Sequence, residues 1–206
     1  GYAALKTENA HGSNTAIGTQ TLNLLDAGTD ANNVAVGHQA GRVMTTGTLN
    51  TLVGSLAGDA LTTGSNNVAL GYRALTTEDA HGFNVAVGHE ALMNQDPASA
   101  VDMYNVAVGS EAVGYQTGTA MTTGVSNTIM GGLAGDSLTT GAQNIALGRS
   151  ALSAAIGAGD NVAIGYAAMS ANTTGNANVA IGTQALNGAN TSGTSTYNIG
   201  IGHNAG

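Results

Sequence analysis

Five histidines and twelve acidic side chains are the residues with most chemistry to offer, and their spacing limits what that chemistry is. His38, His89 and His203 each follow a glycine of the same repeated phrase, so they share one slot and one edge of whatever the phrase builds. At a spacing of about 4.8 Å between stacked strands they stand roughly 14 and 29 Å apart, so one chain cannot place two of them on one ion. Three symmetry copies of one such histidine, meeting on an axis, would make a metal or anion site. The slot is elsewhere filled by Thr19, Ser55, Tyr72, Ser110 and Arg149, which reads as a tolerant surface position. No metal site and no cofactor is therefore expected. His11 and His81 lie in matching Ala-His-Gly stretches and read as turn contacts.

The acidic residues fall mostly in turn-like segments: Asp26, Asp30, Asp59, Glu78, Asp79, Asp96, Asp102, Asp136 and Asp160. Calcium-binding solenoids need Gly-Gly-x-Gly-x-Asp repeats. The single Gly131-Gly132 pair has no aspartate in register. A glycosidase needs two carboxyl groups about 5–10 Å apart in a groove. Glu78 and Asp79 are the nearest approach to such a pair, and as sequence neighbours on a polar turn they point apart. No nucleophile elbow, phosphate-binding loop or dinucleotide fingerprint occurs. The chain reads as non-enzymatic, with no catalytic residue; a glycan-depolymerising alternative rests on Glu78 and Asp79 alone. An ice-binding threonine array is not favoured either, because Thr-Thr-Gly marks some turns and skips others.

Charge excludes further classes. Four basic residues (Lys6, Arg42, Arg73, Arg149) against twelve acidic ones give a net charge of −8, with no patch to neutralise phosphates. Nucleic acid and anionic membranes are thus not expected partners. No run of apolar residues is long enough to span a bilayer as a helix. With no cysteine there is no disulfide or thiol chemistry. The sequence opens at Gly1 without Met and reads as a segment of a longer chain.

What positions these residues is a repeat. The unit is Asn, a β-branched residue, Ala, an aliphatic residue, Gly, two variable residues and Ala, as in Asn33-Val34-Ala35-Val36-Gly37-His38-Gln39-Ala40. Its glycine recurs at Gly1, Gly18, Gly37, Gly54, Gly71, Gly88, Gly109, Gly131, Gly148, Gly165, Gly182 and Gly202, a base period of 17 with insertions of two to five residues in four units. A longer period of 77 relates Met44–Leu75 to Met121–Leu152 and divides the single array, 1–206, into four-unit blocks 1–70, 71–147 and 148–206. The fourth unit of each block ends in Ala-Gly, at Gly58, Gly135 and Gly206.

Seventeen residues are too few for a helical hairpin repeat, and no window has a sustained helical period. One short strand and a return path per unit make an all-β, parallel β-solenoid (β-roll) of about twelve 17-residue coils, roughly 53 Å long at the strand spacing. A composition of 32 Gly and 3 % aromatics suits such a thin rod. By strand alternation the second and fourth motif positions share a face, assigned here to the interior. The third position, Ala in eight of eleven copies with Leu52, Ile129 and Gly200 as exceptions, is then assigned to the outside. An apolar outer face means burial against another chain; this predicts a homo-oligomer, most simply a trimer. The invariant Asn, from Asn14 to Asn198, predicts a hydrogen-bonded amide ladder along the rod. The motif Gly suits a corner with positive φ, with the Ala three residues later packed beneath it.

These Asn-Val-Ala-Ile-Gly units resemble the head repeats of trimeric autotransporter adhesins. The longer phrase Thr-Thr-Gly-x-x-Asn-Val-Ala-Ile-Gly-x-x-Ala-Leu resembles repeats of phage tail fibres over the whole chain. The 17-residue period and the lack of the adhesins' Ser-x-Ala-x-Gly half favour the fibre. The resemblance implies a stiff trimeric shaft or adhesive head at a virion surface or outside a cell, serving attachment to a host or surface. A bacterial adhesin or extracellular filament is the alternative. The insertions are where a receptor or cell-surface glycan would be recognised. The longest run from Met93 to Tyr104, with Pro97, and from Tyr115 to Met121, and mark Asp96, Asp102, Tyr104 and Tyr115 as binding candidates.

Overall fold

The structure is a computed structural model and describes residues 1–8, 12–77, 80–95, 102–113, 123–188 and 195–206. Eleven three-residue strands, from β1 (Thr15–Ile17) to β11 (Ile199–Ile201), form one parallel sheet in strict sequence order. Each motif pairs position for position with the next: Ala16 with Ala35, Ala35 with Leu52, Leu52 with Ala69. The fold is a parallel β-solenoid, and ten strand-to-strand steps make the sheet about 48 Å long. The chain enters the first motif copy at its glycine, so twelve copies yield eleven strands. Insertions do not disturb the register: the 21-residue interval from Gly88 to Gly109 still pairs Val85 with Val106 and Val87 with Val108.

The two strand faces are the reverse of the sequence expectation. The third motif residue points inward and is buried in ten of the strands, whereas the second and fourth are exposed or half-buried in every one. The reason is the thinness of the coil. The opposite wall sends a large side chain across, four residues after the motif glycine: Leu22, Leu75, Leu92, Leu152, Met169 or Leu186, all buried. That leaves room for only a methyl group on the strand, hence Ala. The alanine three residues after the glycine, such as Ala40, Ala57 and Ala74, is buried as well. A further inward position, seven after the glycine, holds Leu25, Met44, Leu61 and Leu138.

The exceptions to alanine follow from the same geometry. Leu52 and Ile129 occupy the strand position in coils where the crossing residue is Gly58 or Gly135. A Cβ on Gly58 would lie 2.9 Å from Leu52 Cδ2, and one on Gly135 would meet Ile129 at 3.6 Å. Leu52 also fills the space over Gly41, where a Cβ would approach its Cδ1 to 2.9 Å. Large and small have exchanged walls. In these two layers the exchange keeps the core filled, whereas Ala35 with Gly41 is small on both walls and Leu22 and Leu52 of the adjoining coils fill the space, as close packing requires.

The asparagine ladder is continuous, though its main rung differs from a purely amide-to-amide stack. Each Asn Oδ1 accepts the backbone N–H of the next motif asparagine, from Asn33 N to Asn14 Oδ1 at 2.8 Å through to Asn198 N to Asn178 Oδ1 at 2.9 Å. The same side chain donates Nδ2 to a turn carbonyl, as Asn50 does to Gly64 and Asn144 to Ala158. A buried amide that meets both needs removes the cost of burying the polar backbone where the strand begins.

The motif glycines stack at positive φ, from 123° to 141° between Gly18 and Gly202. The turns also hold larger residues in the left-handed region, including Leu22, Leu75, Leu92, Leu152 and Leu186. These turns hydrogen-bond to neighbouring coils too, for example Gln39 N to Thr19 O at 2.9 Å and Leu75 N to Ala91 O at 3.0 Å. Such bonds offset the roughly 1–2 kcal/mol that each left-handed residue costs.

Candidate interaction surface

The outward strand face is a straight apolar stripe. Every strand contributes its second and fourth motif residues, which are Val, Ile, Leu, Met or, at Thr15, Thr51 and Thr128, threonine. None is charged. Ile17 is 59 % exposed, Met130 44 % and Ile145 40 %. The two rows stand about 6.6 Å apart along the strand, and successive rungs about 4.8 Å apart. A continuous exposed apolar face is the kind of surface on which interaction sites are found. The apolar face expected to meet another chain thus exists on valine and isoleucine, not on alanine.

Two columns of variable residues flank the stripe. On one side, the residue before each asparagine is held at positive φ; there Phe83 and Tyr104 stack with ring centroids 5.0 Å apart. On the other, the residue after each motif glycine forms the histidine slot. His38, His89 and His203 do share this edge, three and six coils apart, and His89 stacks on Tyr72 at 5.4 Å.

Of the insertion residues singled out by sequence, Asp102 is exposed and Tyr104 is 53 % exposed. They come together with Phe83 and Gly82: a Cβ on Gly82 would lie 3.3 Å from Asp102 Oδ1. Met103, between them, is buried in the core, and Met93 is half-buried. Asp96, Pro97, Tyr115 and Met121 lie outside the described residues, as do His11, Glu78 and Asp79. His81 is buried, and its carbonyl accepts a hydrogen bond from Asn67 Nδ2 at 3.0 Å, a role within the turn.

Charged groups pair between successive coils. Arg42 Nε donates to Asp59 Oδ1 at 2.8 Å and Nη2 to Oδ2 at 3.2 Å. The hydrogen bonds that Arg42 donates to Asp59, opposed by partial burial and aided by the carboxylate charge, raise the Arg42 pKa further. Arg73 Nη1 donates to Glu90 Oε1 at 3.1 Å.

One grouping escaped the sequence reading. His89, Glu90 and Glu111 bring one donor atom each within 4.8 Å of one another. Glu90 and Glu111 occupy the same slot, two residues after Gly88 and Gly109 on consecutive coils, and that shared slot was the signal in the sequence. Among the described residues no helix is long and apolar enough to cross a membrane. In comparisons with protein families, curated proteins and solved structures, nothing matches this chain.

Proposed function

We propose that this chain is a non-enzymatic segment of a fibre, a shaft or adhesive head for attachment to a host or surface, built by identical copies lying side by side. The observation that carries the reading is the uncharged apolar stripe along all eleven strands. A partner that covers it must present apolar groups at the same interval of about 4.8 Å over about 48 Å. A second copy of the same solenoid does so by construction, and three copies around an axis bury all three stripes.

Magnitudes bear on this. A stripe about 48 Å long and about 10 Å wide offers on the order of 500 Å² per chain, against about 800 Å² per partner in a standard interface. At about 25 cal/mol per Å² it yields roughly 12 kcal/mol per chain, about 36 kcal/mol for three buried stripes, against two association steps that cost about 4–15 kcal/mol each. The stripes alone are therefore of the size that an assembly of three copies needs, before side-chain ordering and polar desolvation reduce the surplus. The sequence resemblance favours a phage tail fibre over a bacterial adhesin or filament. In either, several copies of a recognition loop on one rigid rod turn weak contacts with a glycan or receptor into firm attachment.

Light scattering on the purified chain tests the assembly: the expected mass is three times 20.1 kDa. The double variant Val53→Lys/Ile181→Lys, with charges on exposed stripe positions, should keep the parent circular dichroism and fall to single-chain mass. A parent that is monomeric while cooperatively folded overturns the proposal. Attachment is tested separately by trimming the 21- and 22-residue intervals after Gly88 and Gly109 to 17. A folded oligomer that no longer adheres supports recognition there; loss of assembly shows that the insertions are structural.

A further inference from the structure

We propose that His89, Glu90 and Glu111 form a binding site for a divalent transition-metal ion, zinc in the first instance, that ties two successive coils together. His89 and Glu90 belong to the coil of Gly88, and Glu111 to the coil of Gly109. Their donor atoms lie within 4.8 Å of one another, with His89 Nδ1 3.8 Å from Glu90 Oε2. Around a zinc ion with bonds of about 2.1 Å, tetrahedral ligands sit roughly 3.4 Å apart. The site therefore closes by up to about 1.4 Å, with the unpaired Glu111 side chain as the ligand best placed to move. His89 is about half exposed and Glu111 half-buried.

Two further observations point to a cation here. Glu90 is nine-tenths buried, and Arg73 takes only its Oε1, so Oε2 faces His89 with no hydrogen bond among the described residues. The side chain of Glu111, directly above in the same slot, has neither an ion pair nor a hydrogen bond among the described residues, its backbone N–H donating to the His89 carbonyl at 2.8 Å. The chain has only four Lys and Arg: Arg73 is on Glu90, Arg42 is on Asp59, Lys6 lies in the first coil, and Arg149 lies two coils beyond Glu111. Of two carboxylates one coil apart, only Glu90 thus meets a guanidinium, on its far side, and an imidazole stands beside them. One nitrogen and two carboxylate oxygens suit zinc or a similar ion better than calcium or magnesium, which take all-oxygen shells. The stack on Tyr72 holds the His89 ring beside the site, as an outer-shell contact does in other metal centres. The interval bridged contains the Met93–Tyr104 insertion, so the ion would brace the base of a candidate recognition loop.

Calorimetric titration of the tag-free chain with zinc chloride, with calcium chloride in parallel, tests the site. One zinc per chain is expected, weakened at least tenfold in His89→Gln and in Glu111→Gln, with no comparable calcium binding. Zinc should raise the thermal midpoint of the parent but not of Glu111→Gln. Both variants sit on the surface, and parent-like circular dichroism without metal shows that they fold. Absence of binding at 1 mM zinc, the scale of the weakest specific complexes, overturns the proposal. So does zinc binding unchanged in both variants, which would place the ion on His38 or His203, or calcium binding as tight as zinc. None of these outcomes bears on the oligomer, which is read from mass.

Discussion

Leu52→Ala removes three carbon atoms from a fully buried side chain on β3 (Thr51–Val53). At about 0.8 kcal/mol per buried carbon the transfer loss is about 2.4 kcal/mol, and the cavity brings the total to about 3–4 kcal/mol. Gly58→Leu alone places four carbons where a Cβ already comes within 2.9 Å of Leu52 Cδ2, an overpacking worth about 1–3 kcal/mol. Together the substitutions rebuild the layer found in the next coil, where Ala69 on the strand faces Leu75 on the opposite wall. The backbone accepts the swap: Gly58 has φ 58°, close to 55° at Leu75 and 50° at Leu92. The double variant is therefore expected within about 1–2 kcal/mol of the parent, with only the space over Gly41 unfilled, and a coupling of about 3 kcal/mol between the sites. Equilibrium urea unfolding followed by circular dichroism measures all four proteins, with light scattering confirming one oligomeric state throughout. Additive losses in the double variant would refute the claim that strand and opposite wall share one volume.

Other consequences follow from the same architecture. Gly131→Ala puts a Cβ 2.6 Å from the Gly148 carbonyl at φ 136° and should cost more than about 4 kcal/mol, whereas Gly132→Ala, 3.6 Å from its nearest contact, should be near neutral; the two thermal midpoints compare them directly. Asn144→Ala leaves the backbone N–H of Asn161 and the carbonyl of Ala158 without their side-chain partner and should cost about 2–4 kcal/mol, with hydrogen exchange rising first at those coils. Asp59→Asn weakens a half-exposed pair with Arg42 and should change stability by less than about 1 kcal/mol, an effect that shrinks further in 0.5 M salt.

Much of the fold was legible because its main relations are relations of sequence interval. A motif that recurs every 17 residues with an invariant Asn and Gly admits one stacking in which like lies on like. That stacking placed the glycine corners, the asparagine column and the histidine edge. Insertions could be set aside because an extra loop leaves the strand register intact, as Val85 and Val106 demonstrate. The anomalies Leu52, Ile129 and Gly200 were visible too, as were the Ala-Gly endings at Gly58, Gly135 and Gly206, but as separate facts. Seeing Leu52 and Ile129 as exchanges across one layer, and Gly200 with Gly206 as making room for Leu186 of the preceding coil, required the opposite wall.

The sequence by itself determined the repeat, the parallel stack and which residues share a column. Tertiary structure alone decided which strand face is the inside. A period of two sorts residues onto two faces and is symmetric with respect to which is buried, and here both faces are apolar. The symmetry is broken by leucines arriving from the far side of a thin coil, which admit alanine and turn valine and isoleucine outward. The same closure carries Glu111 onto Glu90 and His89, 21 and 22 residues away in the chain. Only the inserted coil's return to register makes them neighbours.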